Sequence, residues 1–218
     1  MGKFIVFEGT DCSGKETQTK MIVDKLNKEG KKAIRFAFPN YDTPTGKVIA
    51  GPFLGKFGES YFKGCTTTIS PYIASLYYTA DRAYNKQSIV DAINQYDYVI
   101  LDRYVYSNLV YQGGKLKSIE EKEKFYDFME KLEFEMLSLP KPDQIIFLHM
   151  PTDCALKLRY GREEKADENE KNVEYLRMCE KNYLDLCERY HFERIACEEN
   201  GRIKTIEEIH NLVCEKII

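Results

Sequence analysis

Apolar residues fall in short runs separated by longer amphipathic stretches. Phe4-Ile5-Val6-Phe7, Tyr98-Val99-Ile100-Leu101 and Gln144-Ile145-Ile146-Phe147-Leu148-His149 are nearly continuous apolar runs, the pattern of strands buried on both faces of a sheet. Ala33-Ile34-Arg35-Phe36-Ala37-Phe38 alternates like a strand and breaks in the polar turn Pro39-Asn40-Tyr41-Asp42-Thr43-Pro44, and 192–197 is a fifth candidate. Residues 15–29 carry Met21, Ile22, Val23 and Leu26 at broadly helical spacing, with Gly30 where a C-cap belongs. Residues 46–54 read as a short helix, and 55–68, which lack periodicity, as an exposed excursion. Ser70-Pro71 opens a long tyrosine-rich helix running to 92; the capping box Ser118-Ile119-Glu120-Glu121 opens a charged helix ending near 139, with Pro140 and Pro142 as stops. Helices are also expected over 153–160, 172–190 and 205–217, the last with Ile206, Ile209, Leu212 and Val213 on one face. The stretch 104–112 is polar and aromatic without a clear element, and 198–202 reads as a turn. This alternation predicts the α/β class, a parallel sheet of about five strands flanked by helices, in a single domain over 1–218.

The chain is organised around Gly9-Thr10-Asp11-Cys12-Ser13-Gly14-Lys15, set between the first strand pattern and the first helix pattern. Two glycines let the backbone turn tightly and aim N–H groups inward, Lys15 adds a point charge, and the helix presents its positive end, so the segment is a phosphate nest, a P-loop. The general pattern then wants a hydroxyl residue to ligate Mg²⁺, but Glu16 stands there and Thr17 follows. Either Glu16 faces solvent and the metal is held through water and other carboxylates, Asp11 among them, or the loop binds phosphate without the usual metal shell.

Composition narrows the partners. A net charge of −3 and pI near 5.8 give no global attraction to nucleic acid polymers or anionic membranes, so phosphate recognition must come from local cations. Seven cysteines without a C-x₂-C pair, and no signal-peptide pattern, point to free thiols in a reducing cytoplasm. No run of eighteen apolar residues would span a membrane.

Phosphoryl transfer depends on in-line positioning and charge neutralisation. Lys15 serves the nest, Asp102-Arg103 emerges at the carboxyl edge of the third strand pattern, and Arg159 with Arg162 opens a charged stretch over 159–171 that reads as a lid or as a solvated linker. A guanine-reading Asn-Lys-x-Asp is absent. Duller readings stand beside these: Asp102-Arg103 as a structural ion pair, Tyr77 and Tyr78 as core aromatics, Asn108 and Gln112 as turn formers, Cys12 as a passive small residue, and His149 as a satisfied core imidazole.

Taken together, Phe7-Glu8-Gly9 with the loop, Phe38-Pro39, Asp81-Arg82, Asp102-Arg103-Tyr104 with Ser107-Asn108 and Tyr111-Gln112, and Leu139-Pro140-Lys141-Pro142-Asp143 resemble the thymidylate kinase family nearly end to end. The resemblance implies a cytoplasmic, homodimeric enzyme that moves the γ-phosphoryl of Mg-ATP onto dTMP. It implies that Gly9 to Thr17 hold ATP, that Asp11 meets the sugar 3′-hydroxyl and the metal region, and that Arg103 holds the acceptor phosphate. It puts Tyr78 against thymine, Arg82 and Asn108 on the base edge, Tyr111 against the ribose 2′ position, and Phe38, Tyr41, Ser107 and Gln112 in the same site. Cys12 stands where some members carry a catalytic arginine, so the resemblance gives that task to Arg159 and Arg162, with Glu170 as a lid acid near the metal. Two departures are Glu16 and Tyr41, the latter where some members carry arginine. The rivals are a kinase for another nucleotide or nucleoside, and a catalytically silent nucleotide-binding module.

Overall fold

All five predicted strands pair in parallel. The computed structural model describes residues 1–56, 58, 60–62, 68–159 and 172–218, so Arg162, Glu170 and most of the 159–171 stretch lie outside the described residues. Strands β1 (Lys3–Glu8), β2 (Ala33–Ala37), β3 (Tyr98–Asp102), β4 (Gln144–His149) and β5 (Glu193–Ala196) form one sheet in the order β2-β3-β1-β4-β5. Crossover connections bring every carboxyl end to one edge, where Phe7 of β1 is level with Asp102 of β3.

Alternation along the central strand divides the core. Ile5 and Phe7 face one side, with Ile22 and Leu26 of α1 (Lys15–Lys28) and Ile209 and Val213 of α8 (Ile206–Ile217). Phe4 and Val6 face the other, with Ile89 and Ile93 of α3 (Pro71–Gln95). All four β1 residues are at most 1 % exposed, and each side chain so buried contributes about 1.5–3 kcal/mol. A third cluster joins Phe147 of β4 to Phe125 of α5 (Ile119–Glu130) and Tyr183 of α7 (Val173–Arg189).

Several elements depart from the sequence-based expectations. The 104–112 stretch is a helix, α4 (Val105–Gly113), whose first turn is capped from a distant strand. The short helix at 46–54 is α2 (Pro44–Val48) followed by a π-helical turn over Ile49–Phe53, and α5 likewise passes into a π-helical turn over Lys131–Met136. The 198–202 turn is the tip of a hairpin between β6 (Glu198–Glu199) and β7 (Arg202–Ile203), made by Asn200 and Gly201 at positive φ. In α8, Ile206 is half exposed and Ile217 takes its place in the core. Within the 55–68 excursion, Tyr61 is exposed, but Phe62 packs edge-on against Phe53 and Tyr77. The capping box at Ser118 forms as the sequence suggests, and Thr205 with Glu208 makes a second one at the start of α8.

Candidate active site

Where β1 ends, the chain turns at Gly9, whose φ is 156°. A Cβ there would lie 2.6 Å from the Leu148 carbonyl oxygen and 2.7 Å from Ser13 Oγ, so only glycine fits. Cys12 and Gly14 take left-handed φ of 60° and 85°, and α1 begins at Lys15. The orphan N–H groups of that first turn and the helix dipole make the loop an anion site. Thr10 and Ser13 are buried, and Thr10 Oγ1 donates to the Met150 carbonyl at 3.3 Å. Lys15 lies across the loop, donating to the Thr10 carbonyl at 2.8 Å and to Ser13 Oγ at 3.3 Å. Burial, joined by the charge of Arg103, pushes its ammonium down to about 8. Glu16 and Thr17 are exposed, and Glu16 accepts from Lys20 at 2.6 Å on the outer face of α1, so the Glu16 side chain faces solvent.

Arg103 sits on the adjacent strand end at φ 66°, a left-handed residue that turns β3 directly into α4. Its Nη1 donates to the Gly9 carbonyl at 3.3 Å, to the Tyr111 hydroxyl at 3.3 Å and to Ser107 Oγ at 3.4 Å, while Nη2 pairs with Asp11. The guanidinium therefore stands at the mouth of the loop. Burial acts to raise the Asp11 carboxyl, but Arg103 and Lys15 outweigh it and hold that group below its usual range. Asp102 does not pair with its neighbour; it accepts from Arg35 at 2.8 Å.

Beneath this arrangement lies Glu8, fully buried. It accepts the Tyr104 N–H at 2.9 Å, the Ser107 N–H at 3.1 Å, the Ser107 hydroxyl at 2.7 Å and the Tyr183 hydroxyl at 2.9 Å. Burial raises its carboxyl above the usual range against those bonds. Glu8 thus caps α4 from β1 and aims the face that carries Ser107, Asn108, Tyr111 and Gln112.

From the loop mouth a cleft of about 150 Å³ runs between α3 and α4. Asp11, Arg103, Ser107 and Tyr111 line it near the loop; Phe38, Tyr41, Tyr78, Arg82, Asn108 and Gln112 line the rest. Every residue that the resemblance assigned to the acceptor is therefore brought to one cleft. Asp81 holds its outer wall, accepting from the Asn40 N–H at 2.7 Å and the Thr45 hydroxyl at 2.8 Å. Asn108 donates to the Ser75 carbonyl at 3.3 Å; Gln112 is 6 % exposed and its Oε1 has no hydrogen-bond partner among the described residues. Tyr77 stacks on Phe53 in the core, whereas Tyr78 meets Phe53 edge-on and reaches the cleft. Arg159, at the end of α6 (Thr152–Arg159), lines a second, small recess with Thr10, Asp11 and Cys12 on the other flank of the loop.

The family model described as thymidylate kinase matches residues 7–211. The chain belongs to the thymidylate kinase family. The thymidylate kinase of Schizosaccharomyces pombe is 29 % identical over 99 % of this chain and 91 % of its own length. A probable thymidylate kinase of Pyrococcus horikoshii is 32 % identical over 96 % and 93 %. The solved thymidylate kinase of Candida albicans superposes with a TM-score of 0.74 at 25 % identity, covering 99 % of this chain and 91 % of that one.

Within this thymidylate kinase fold, sequence reasoning missed Phe53, Lys56, Lys115 and Tyr175 as cleft residues. Lys56 Nζ stands 4.4 Å from the Tyr41 ring centre, and the Tyr175 hydroxyl donates to the Tyr111 carbonyl at 2.5 Å. Each comes from a segment with no local motif, so only tertiary packing reveals it. His149 is a satisfied core imidazole, 2.9 Å from Glu180, whose other oxygen accepts the Thr152 N–H at 2.8 Å and fastens α6 to α7. Burial opposes but these bonds win, bringing the Glu180 carboxyl down to about 2. No group of three His, Cys, Asp or Glu side chains converges in metal-holding geometry among the described residues. A magnesium ion carried on nucleotide phosphates needs only one or two carboxylates, and Asp11 on the loop fits that lesser demand.

Proposed function

We propose that this chain transfers the γ-phosphoryl group of ATP to dTMP, giving ADP and dTDP. One observation carries the reading: the Arg103 guanidinium lines the acceptor cleft and is also within hydrogen-bonding distance of the Gly9 carbonyl in the loop. An acceptor phosphate on Arg103 then faces a donor polyphosphate in the nest. A forked guanidinium matches a phosphate dianion, and the barrier falls through alignment and charge neutralisation rather than covalent catalysis.

In this mechanism residues 9–17 hold the ATP polyphosphate, with Lys15 on its outer oxygens. Arg103, backed by Ser107 and Tyr111, orients the acceptor phosphate, Arg159 adds positive charge from the flank, and Arg162 is assigned the same task. Asp11 and Glu170 would hold Mg²⁺, which when bound neutralises phosphate charge. Phe38, Tyr41 and Tyr78 enclose the base, Arg82, Asn108 and Gln112 meet its edge, and Tyr111 crowds the sugar 2′ position. We take residues 1–218 as one unit with a lid over 159–171, working as a cytoplasmic homodimer. The thiols of Cys154, Cys179 and Cys197, free and buried, suit a reducing compartment, and α3 exposes Ile73, Leu76, Ala80 and Tyr84 along one face, an apolar stripe suited to a second copy. No helix among the described residues is long and apolar enough to cross a membrane.

The test is ADP release with Mg-ATP and, in turn, dTMP, dUMP, dCMP and thymidine. Preference for dTMP, lost by at least about 100-fold in folded Lys15→Ala, supports the reading. A preference for another acceptor reassigns the substrate, and binding of both nucleotides without ADP formation makes the chain a silent module.

A further inference from the structure

Arg82 and Glu133 form an ion pair that the interior hides almost completely, Arg82 being 2 % exposed and Glu133 0 %. Arg82 Nε donates to Glu133 Oε2 at 2.7 Å and Nη2 donates to Oε1. Thr79, one turn earlier on α3, donates its hydroxyl to the same Oε1 at 2.6 Å. Two parallel bonds to a carboxylate fix the plane of a guanidinium, which a single bond would leave free to swing. Glu133 itself cannot drift. It lies in the π-helical turn Lys131–Met136, its carbonyl accepts the Leu139 N–H at 2.9 Å, and Lys86 Nζ reaches across from α3 to the Leu137 carbonyl at 2.8 Å. A wide turn inserted at a buried acid is the kind of local irregularity that tends to mark functional positions.

The pair is nevertheless not sealed off, because Arg82 lines the acceptor cleft together with Asn108 and with Gln112, whose Oε1 has no partner among the described residues. We propose that Glu133 is a positioning residue for base selection: by occupying the Nε–Nη2 edge of the Arg82 guanidinium it holds the remaining N–H donors toward the cleft at a fixed angle. The proposal rests on reading that cleft as the nucleotide acceptor site. A donor so fixed, with amide groups beside it, accepts a pyrimidine edge that offers a ring carbonyl next to a ring N–H. It opposes the cytosine edge, whose exocyclic amino group would set donor against donor and leave buried groups unpaired. A guanidinium released from Glu133 rotates away and loses that discrimination.

Glu133→Gln tests this, because the amide retains shape but turns a donor toward Arg82 and breaks one of the two bonds. Thr79→Val, close to isosteric, removes only the hydroxyl hold. The readouts are calorimetric affinities for dTMP, dCMP and ATP, with steady-state KM and kcat on dTMP and dCMP. In Glu133→Gln the dTMP affinity and the dTMP-over-dCMP ratio should each fall by at least about tenfold, with ATP affinity held within about twofold and kcat at saturating dTMP reduced less than KM is raised. Thr79→Val should move the same ratio the same way by about two- to fivefold. An unchanged ratio in folded Glu133→Gln, or an equal loss of ATP affinity, makes the pair purely structural and overturns the proposal. Should Glu133→Gln fail to fold, Thr79→Val decides alone, an unchanged ratio overturning the proposal there too. If the unmodified protein does not phosphorylate dTMP, the proposed activity fails instead, and the affinities for dTMP and dCMP still judge Glu133.

Discussion

Binding of ATP should draw a proton onto Lys15, and the number taken up should rise with pH. The ammonium lies buried across its own loop, and burial with the nearby Arg103 brings it down from 10.5 to about 8. That depression corresponds to about 3 kcal/mol against the charged form. A polyphosphate in the nest favours the charged form and restores its ordinary basicity. At pH 8 the free protein then has about half of its Lys15 neutral, so binding takes up about 0.5 proton; the figure is about 0.1 at pH 7 and about 0.9 at pH 9. Because the protein must charge this lysine to hold the nucleotide, ATP affinity should weaken by up to about tenfold per unit above pH 8. Lys15 also acts on the free fold with the opposite sign. Its folded value lies below its unfolded one, so its contribution to stability improves as pH rises from about 8 toward 10.5. The assay is titration calorimetry at three pH values in two buffers of different ionisation enthalpy, where the slope of observed against buffer enthalpy counts protons. Lys15→Met, which keeps the stem and removes the titrating group, should take up none. A slope near zero at pH 8 in the unmodified protein, or the same slope in Lys15→Met, would refute the reasoning.

Three further outcomes follow from the geometry. Glu8→Ala strands the Tyr104 and Ser107 N–H groups and should cost about 2–4 kcal/mol in urea unfolding, whereas Glu8→Gln, whose amide can still donate to the Ser107 and Tyr183 hydroxyls, should cost less than half of that; equal losses would show that charge, not capping, is what α4 needs. Gly9→Ala puts a Cβ 2.6 Å from the Leu148 carbonyl and should lower kcat/KM by at least about 100-fold, and near-normal turnover would mean that the loop shifts without consequence. Tyr111→Ala should raise activity on the ribonucleotide relative to dTMP by about tenfold, and an unchanged ratio would make Tyr111 a packing residue under Arg103.

Local chemistry made much of this architecture readable. The buried strands announce themselves as uninterrupted apolar runs, and α5 by a capping box whose reciprocal bonds form at Ser118. The loop is readable because its glycines meet a backbone demand of their own sequence neighbourhood. What escaped is set by distant groups. Helix α4 begins because Glu8, nearly a hundred residues earlier, accepts its first N–H groups, and the polar-aromatic composition of 104–112 carries no sign of that. Glu133 sits among many charged residues of its helix, and only the fold distinguishes the one that meets Arg82. The insertion of β3 between β2 and β1 is likewise a property of crossover packing, not of any one segment. The Asn200-Gly201 hairpin, by contrast, carried an ordinary turn signal that reading the segment as a plain turn left unused.

The central claim is that loop amides and Lys15 on one side, and Arg103 on the other, hold two phosphorylated ligands end to end. Its most direct test is the affinity of one molecule that joins adenosine to thymidine through a polyphosphate chain. Spanning both sites, it should bind at least about 100-fold more tightly than ATP or dTMP alone, and Lys15→Ala and Arg103→Ala should each remove most of that gain. Affinity no better than that of the tighter single nucleotide, or a gain untouched by Arg103→Ala, would contradict the account.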